Sequence, residues 1–251
     1  MILTRNLQEQ MPKSNPPVNI AREVETPQLK LCPITSNSLS YSHASFLNQL
    51  FQLESIRNST FCILQSLRIP DFDSWTSETI HKLIQLWKED CQIPGCGVWV
   101  IFQEKEKEDL PMDVNTTYPP RNISSSKKTP IGLATLSPSE NDPDECILNI
   151  FIHPNNNGKG FGFEAAKALL KANLFPRRIF PDIFPVGKER VYKTKVSSFV
   201  NDQDANCDRW TRLLEKLGMS LTGQFIIAGR LSQVFTISRE EFMDLWIPMD
   251  E

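Results

Sequence analysis

The sequence predicts an α/β (α+β) fold: one mixed, mostly antiparallel central sheet flanked by helices. Three observations carry this expectation. Short apolar runs follow one another across links too short or irregular for a helical crossover, as antiparallel strands do. Later runs alternate with segments of helical period, which places helices around the same sheet. The 251 residues are 40% hydrophobic and 23% charged, an ordinary globular composition with room for one large domain or two small ones.

The elements follow in order. Residues 1–23 are polar, carry Pro16 and Pro17 and show no period, so they read as a flexible tail ahead of a domain over 24–251. "QLKLC" (Gln28 to Cys32) alternates and stops at Pro33, as a short strand does. Phe46, Leu50 and Leu53 predict a helix after Ser38. In "SETIHKLIQLWKED", Ile80, Leu83, Ile84 and Trp87 recur at the spacing of one helical face. Gly95 and Gly97 then turn the chain into the strand "VWVIFQ".

Residues 104–130 open on a charge run and continue with prolines and serines, which reads as an inserted loop. "IGLATLS" and "CILNIFIH" resume as consecutive antiparallel strands. A helix is expected from about Lys159 to Phe175, with Glu164, Lys167 and Lys171 as its only polar stripe. Residues 176–192 are rich in proline and form a second insertion. "TKVSSFV" is a strand, and "DRWTRLLEKLGM" a helix with Trp210, Leu213, Leu214 and Leu217 inward and Gly218 as its stop. Two strands, "GQFIIAG" and "SQVFTIS", are expected to close the chain.

Composition removes several classes of function. A net charge of −3 lacks the basic surplus of nucleic-acid binders. The six cysteines form no CxxC pair and the three histidines are scattered, so zinc-ligand spacing is absent and no metal is expected. "MILTRNLQEQMPKS" has no apolar core of signal-peptide length, and no stretch reaches membrane-spanning length. The expected setting is reducing and cytoplasmic, so the Asn-X-Ser/Thr triplets at Asn58, Asn115 and Asn122 carry no weight.

The informative stretch is "FIHPNNNGKGFGFEAAKALL", Phe151 to Leu170. It holds Gly158, Gly160 and Gly162 at alternate positions, in a chain with only 10 glycines. A P-loop needs a glycine five residues before its Gly-Lys and a Ser or Thr after it, and both are missing. A dinucleotide fold needs GxGxxG after a first strand, whereas this spacing is GxGxG. Two readings stay open: a helix start that needs small residues for packing, and a turn that holds an anion. A strand, a tight turn and a buried helix would present backbone N–H groups at a helix N-terminus, where the dipole favours negative charge. Lys159 adds a positive charge there.

"HPNNNGKGFGFEAAKALL" resembles the acetyl-CoA-binding turn of the GNAT acetyltransferases, [RQ]xxGx[GA], and most of all the GKGxxxEA pattern of their ribosomal-protein N-terminal acetyltransferase (RimJ/RimL-like) branch. "TPQLKLCPIT", "PIGLATLS" and "LLEKLGMSLTGQF" resemble that branch's opening strand, third strand and closing helix with strand, so the resemblance spans roughly residues 25–246 without the two insertions. Asn155 stands where arginine or glutamine is usual, and Ile147 where a fourth-strand carboxylate is often found. Trp210 or Thr211 takes the place of a serine in the helix, with Asn206 about one residue out of register.

The resemblance implies a single-domain GNAT fold that transfers an acetyl group from acetyl-CoA to a primary amine, on a protein N-terminus or a small molecule. It also implies where the co-substrate would lie: on Ile150, Phe151 and Ile152, on Asn156, Asn157, Gly158, Lys159, Gly160, Phe161 and Gly162, and near Asn206. An amine of lysine type has a pKa near 10.4, so only about one molecule in a thousand is neutral at pH 7 and a base or desolvation is needed. The thioester oxyanion needs an N–H donor. The thiolate leaving group, with a thiol pKa of about 8.5, makes a strong general acid dispensable.

Asn149 could hold a catalytic water, Glu145 could act as base and Thr211 as proton donor. The same residues read equally as an edge amide, a solvated strand start and a packed helix position. "SENDPDE", with Glu140, Asp142, Asp144 and Glu145, reads either as a solvated loop or as an acidic lip that gathers a cationic amine. The alternative function is a regulatory protein that binds acyl-CoA without turnover. Oligomeric state is open.

Overall fold

The computed structural model describes residues 21, 23–34, 41–53, 77–91, 93, 95–104, 129–139, 141–174, 193–204, 206–227 and 230–246. Most of the expected tail, the expected insertions apart from their edges, and Glu140 lie outside the described residues.

The chain opens with β1 (Val24–Glu25) and β2 (Leu29–Pro33), followed by helices α1 (Tyr41–Gln52) and α2 (Ser77–Asp90). Next come β3 (Gly97–Gln103), β4 (Thr129–Pro138) and β5 (Glu145–Ile152). A 3-10 turn (Pro154–Asn156) leads into α3 (Phe161–Leu169), which continues as a π turn (Leu170–Leu174). The last elements are β6 (Lys195–Asn201), α4 (Cys207–Lys216), β7 (Ser220–Ile227), β8 (Arg230–Ser238) and α5 (Arg239–Trp246).

The strands form one 8-stranded sheet in the order β1-β2-β3-β4-β5-β6-β8-β7. Every neighbouring pair is antiparallel except β5 with β6. That mixed, mostly antiparallel sheet flanked by helices is the expected fold class.

Each face of the sheet has its own core. On one face, Phe161, Ala165, Ala166 and Leu169 of α3 pack with Leu214, Phe242, Leu148 and Val196. On the other, Phe46, Leu47 and Leu50 of α1 and Ile80, Leu83, Ile84 and Trp87 of α2 pack over Val98, Val100, Leu133 and Phe151. The helical spacing in the sequence therefore named the inward side of α2 correctly. Fully burying a side chain of this kind is worth about 1.5–3 kcal/mol, so these two sets fix which face of each strand meets which helices.

Two elements depart from expectation. The chain does not close on two strands, because α5 follows them. A capping box starts it: the N–H of Ser238 donates to Glu241 Oε2 (2.8 Å) and the N–H of Glu241 donates to Ser238 Oγ (3.2 Å). β1 was missed because a two-residue strand has no period to read. It is held by the ion pairs of Lys30 with Glu23 and Glu25, which push the Lys30 pKa up. Ala21, within the expected tail, is buried in the first core, so the packed chain begins ahead of residue 24.

Candidate active site

β5 and β6 pair in register at Glu145↔Lys195, Cys146↔Val196 and Ile147↔Ser197, and their pairing ends there. Past that point the two strands bound a wedge. The next carbonyl of β5, that of Leu148, accepts the Ser198 hydroxyl at 2.9 Å, so a side chain bonds where a ladder amide would stand.

Backbone alternation shows which groups of β5 face the wedge. The N–H of His153 bonds the Ile131 carbonyl on β4 (2.8 Å), so the odd-numbered residues of β5 direct their backbone groups to β4. Ile150 and Ile152 direct theirs to the opposite side, into the wedge. Their side chains lie under α3, where a Cβ on Gly162 would meet Ile152 and Ile150 at 3.7 and 3.9 Å and Leu213 at 3.1 Å. Phe151 behaves differently: its side chain belongs to the second core and its backbone lies on the β4 side.

The glycine turn closes the open end of β5. His153 caps the 3-10 turn, its Nδ1 accepting the N–H of Asn155 (3.3 Å), and is thereby a turn residue. Gly158 and Gly160 take φ of +80° and +84°, a left-handed backbone that costs other residues roughly 1–2 kcal/mol, and a Cβ on either would meet nothing within 4 Å. Gly160 is the N-cap of α3 and offers no side chain to the helix end. The first bond along the helix axis is from Glu164 N–H to Gly160 O (3.0 Å), so the N–H groups of Phe161, Gly162 and Phe163 precede any partner within the helix. Lys159 is exposed and donates to Asn156 Oδ1 (2.9 Å). Gly158 and Gly160 thus serve backbone conformation over open space, while Gly162 serves close packing, as the small-residue reading of the spacing expects.

Glu164 faces the other way. Its carboxylate accepts the Thr26 hydroxyl and the N–H of Gln28, tying α3 to the β1–β2 turn. Nothing in the sequence pointed to this contact, because the partners are far apart in the chain.

On the face opposite α3, Asn149 is buried, and its Nδ2 donates to Thr135 Oγ1 on β4 (3.2 Å), which leaves its Oδ1 available. Ser137, 2% exposed and opposite Ile147, has a hydroxyl with no partner among the described residues. Glu145 lies at the closed end of the wedge, accepting the Ser197 hydroxyl and paired with Lys195 Nζ at 3.1 Å. Of the acidic loop, Asp142 accepts the N–H of Asp144 (2.8 Å), and the Lys193 ammonium donates to the Pro143 carbonyl. The loop therefore stands at the paired end of β5 and β6 beside two lysines. Thr211 is half-buried on α4. Asn206, the N-cap of α4, makes no side-chain bond to that helix. The structure thus groups Ile150, Ile152 and the glycine turn along one edge of the wedge and puts Asn149 across the sheet from α3.

Solved structures of known proteins share this fold. The spermidine/spermine N-acetyltransferase SpeG from Vibrio cholerae matches with a TM-score of 0.51 at 16% identity, over 88% of this chain and 99% of its own. The fold is that of the GNAT acetyltransferases. A GNAT-family acetyltransferase from Bacillus anthracis matches at 0.52 and 11% identity, over 87% and 99% of the two chains. The microcin C7 self-immunity acetyltransferase MccE, in complex with acetyl-CoA and AMP, matches at 0.51 and 12% identity, over 85% and 93%. No protein-family model matches the sequence, and no curated protein matches it significantly.

Among the described residues no group of His, Cys, Asp and Glu could hold a metal ion, and no helix is long and apolar enough to cross a membrane.

Proposed function

We propose that this protein is an acetyl-CoA-dependent N-acetyltransferase, with one catalytic domain that takes in Ala21 as well as the expected residues 24–251, and a primary amine as acceptor. The observation that carries the proposal is the wedge: two parallel strands that part after Ile147↔Ser197, with an uncapped, glycine-lined helix N-terminus at the open end of one of them. The diphosphate of acetyl-CoA would lie on the N–H groups of residues 160–163 near Lys159, with Asn156, Asn157 and Gly158 shaping the turn. Its amide-bearing arm would pair with the backbone of Ile150 and Ile152 as a surrogate strand. The thioester would then reach the end of the wedge near Leu148.

Chemistry at that point is attack of the neutral amine on the thioester carbonyl, with the thiolate leaving. The first β5 N–H that points into the wedge beyond Leu148 is that of Ile150, which would hold the oxyanion. Asn149 Oδ1, left available by the Thr135 bond, would orient the amine or a water that accepts its proton, and the Ser137 hydroxyl stands on the same face. Thr211 or Asn206 would lie near the departing sulfur. The GKGxxxEA resemblance favours the RimJ/RimL-like branch and a protein N-terminus as acceptor; spermidine is the acceptor named for SpeG.

One observation favours the second reading, binding without turnover. The Glu145 carboxylate is committed to Lys195 and Ser197, and Asn149 is an amide that cannot take a proton. Desolvation and water would have to replace a side-chain base. Thiol release from acetyl-CoA with a panel of amines separates the readings: amine-dependent release supports the transferase, and binding of acetyl-CoA without release supports the regulator.

A further inference from the structure

β7 (Ser220–Ile227) is the last strand of the sheet: β8 flanks one side of it, and among the described residues no strand pairs with the other. Edge strands are ordinarily guarded by charges, proline, shortness or a bulge, because a free row of backbone groups invites pairing. "SLTGQFII" has eight residues, no charged residue and no proline. Its one guard is the bulge between Leu221 and Gly223, which leaves residues 223–227 in regular register with β8. The large side chains of this hairpin face water: Leu221 is 53% exposed, Phe225 59%, Ile226 77%, and Leu231, opposite Ile226 on β8, 43%. Leu221 pairs with Phe235 of the first core, so Leu221, Ile226 and Leu231 lie on the sheet face that carries α3, and Phe225, opposite Ser232, lies on the other. Exposed apolar residues scattered singly are ordinary; four in one hairpin make a patch.

We infer that β7 is the interface between two copies of this chain, paired antiparallel about a two-fold axis. The exposed surface of Leu221, Phe225, Ile226 and Leu231 comes to roughly 450–500 Å² per copy, so pairing would remove about 900–1,000 Å² from water through these side chains alone. Ser220, Thr222 and Gln224 are exposed on the same strand, and with the backbone they carry the total past the ~1,200 Å² at which stable interfaces begin. A two-fold axis normal to the sheet keeps each face continuous, so Ile226 of both copies lies on one face and Phe225 of both on the other. With no charge on the strand, nothing in it selects a different protein by complementary charge, and an apolar, uncharged core is the mark of homodimer interfaces. A two-fold interface also closes, which uses up the edge and leaves no further strand to add. The inference goes beyond the acetyltransferase reading and does not rest on it, since β6 and β8 separate β7 from the wedge.

The test is sedimentation velocity of the full-length protein over a range of concentrations, in wild type, Ile226→Lys, Phe225→Lys and Ile226→Thr, with circular dichroism alongside. Wild type should sediment with twice the mass of one chain and dissociate on dilution. Each lysine enters the interface twice and should raise the dissociation constant about a hundredfold or more, while the dichroism stays that of wild type, because both positions face water in the single chain. Ile226→Thr keeps the strand preference and adds no charge; it should raise the constant about tenfold, and it covers the case of a lysine variant that does not fold. Amide exchange gives a second readout: the β7 amides should exchange slowly in the wild-type dimer and fast in the monomeric variants. A wild type that stays monomeric at every concentration overturns the inference, and slow exchange in β7 of that monomer would assign the edge to another part of the same chain. A dimer that survives all three substitutions, or a wild-type mass above two chains, also overturns it.

Discussion

Gly160 separates backbone geometry from charge. Its φ of +84° would strain any side chain, but a Cβ there meets nothing within 4 Å, so asparagine and aspartate, which tolerate this region best, should cost the free protein a similar 1 kcal/mol or so. They differ for an anion at the N-terminus of α3. Gly160→Asn should keep most of the thermal stabilisation by acetyl-CoA and Gly160→Asp should lose it. Equal stabilisation in both would move the diphosphate elsewhere. Ser198 makes a different prediction. Replacing it with alanine strands the Leu148 carbonyl in a buried place and should cost about 1–3 kcal/mol in urea unfolding; a cost near zero would show that the bond does not hold the strands. The glycine turn was readable in advance because glycine and lysine at fixed offsets carry their own physics. The engagement of Glu145 by Lys195 and Ser197 was not, since it joins residues some 50 positions apart through a pairing that no local pattern encodes.

Among the elements, α5 gives the sharpest titration. The backbone N–H of Ser238, and then its hydroxyl, hold the Glu241 carboxyl below the usual carboxylate range. A carboxylate with a depressed folded pKa stabilises the fold above its unfolded pKa, near 4.3, and loses that contribution as the pH falls through the folded value. Wild type should therefore exceed Glu241→Gln in stability at pH 7, and the gap should narrow steadily as the pH falls below about 4.3. A gap that does not narrow as the pH falls would rule out the carboxylate as its source. Ser238→Ala should cost about 1 kcal/mol by denaturant melting, because Glu241 N–H then loses its cap. This helix hid from sequence reading because it is only eight residues long: Phe242, Met243 and Trp246 pack on the core, but two turns are too short for a helical period to show. α4 was easier to see. Gly218 takes φ +88° and closes a Schellman motif, with Met219 N–H to Leu214 O at 3.0 Å and Gly218 N–H to Glu215 O at 2.9 Å.

At the scale of the whole molecule, the order of the strands and helices other than β1 and α5 was readable because each of those has a strong period or a clear stop, and that order suffices for the fold. The parting of β5 from β6 was not readable, because their sequences are equally strand-like on both sides of Ile147 and Ser197. It depends on the sheet as a whole, and the proposed chemistry depends on it in turn. The most direct test of the account follows thiol release from acetyl-CoA by the full-length protein with a panel of peptide amines and polyamines, in wild type and Gly160→Asp. The account predicts release that saturates with one class of amine in wild type and falls to background in Gly160→Asp, which stays folded. Tight binding of acetyl-CoA with no amine-dependent release from any member of the panel would contradict it.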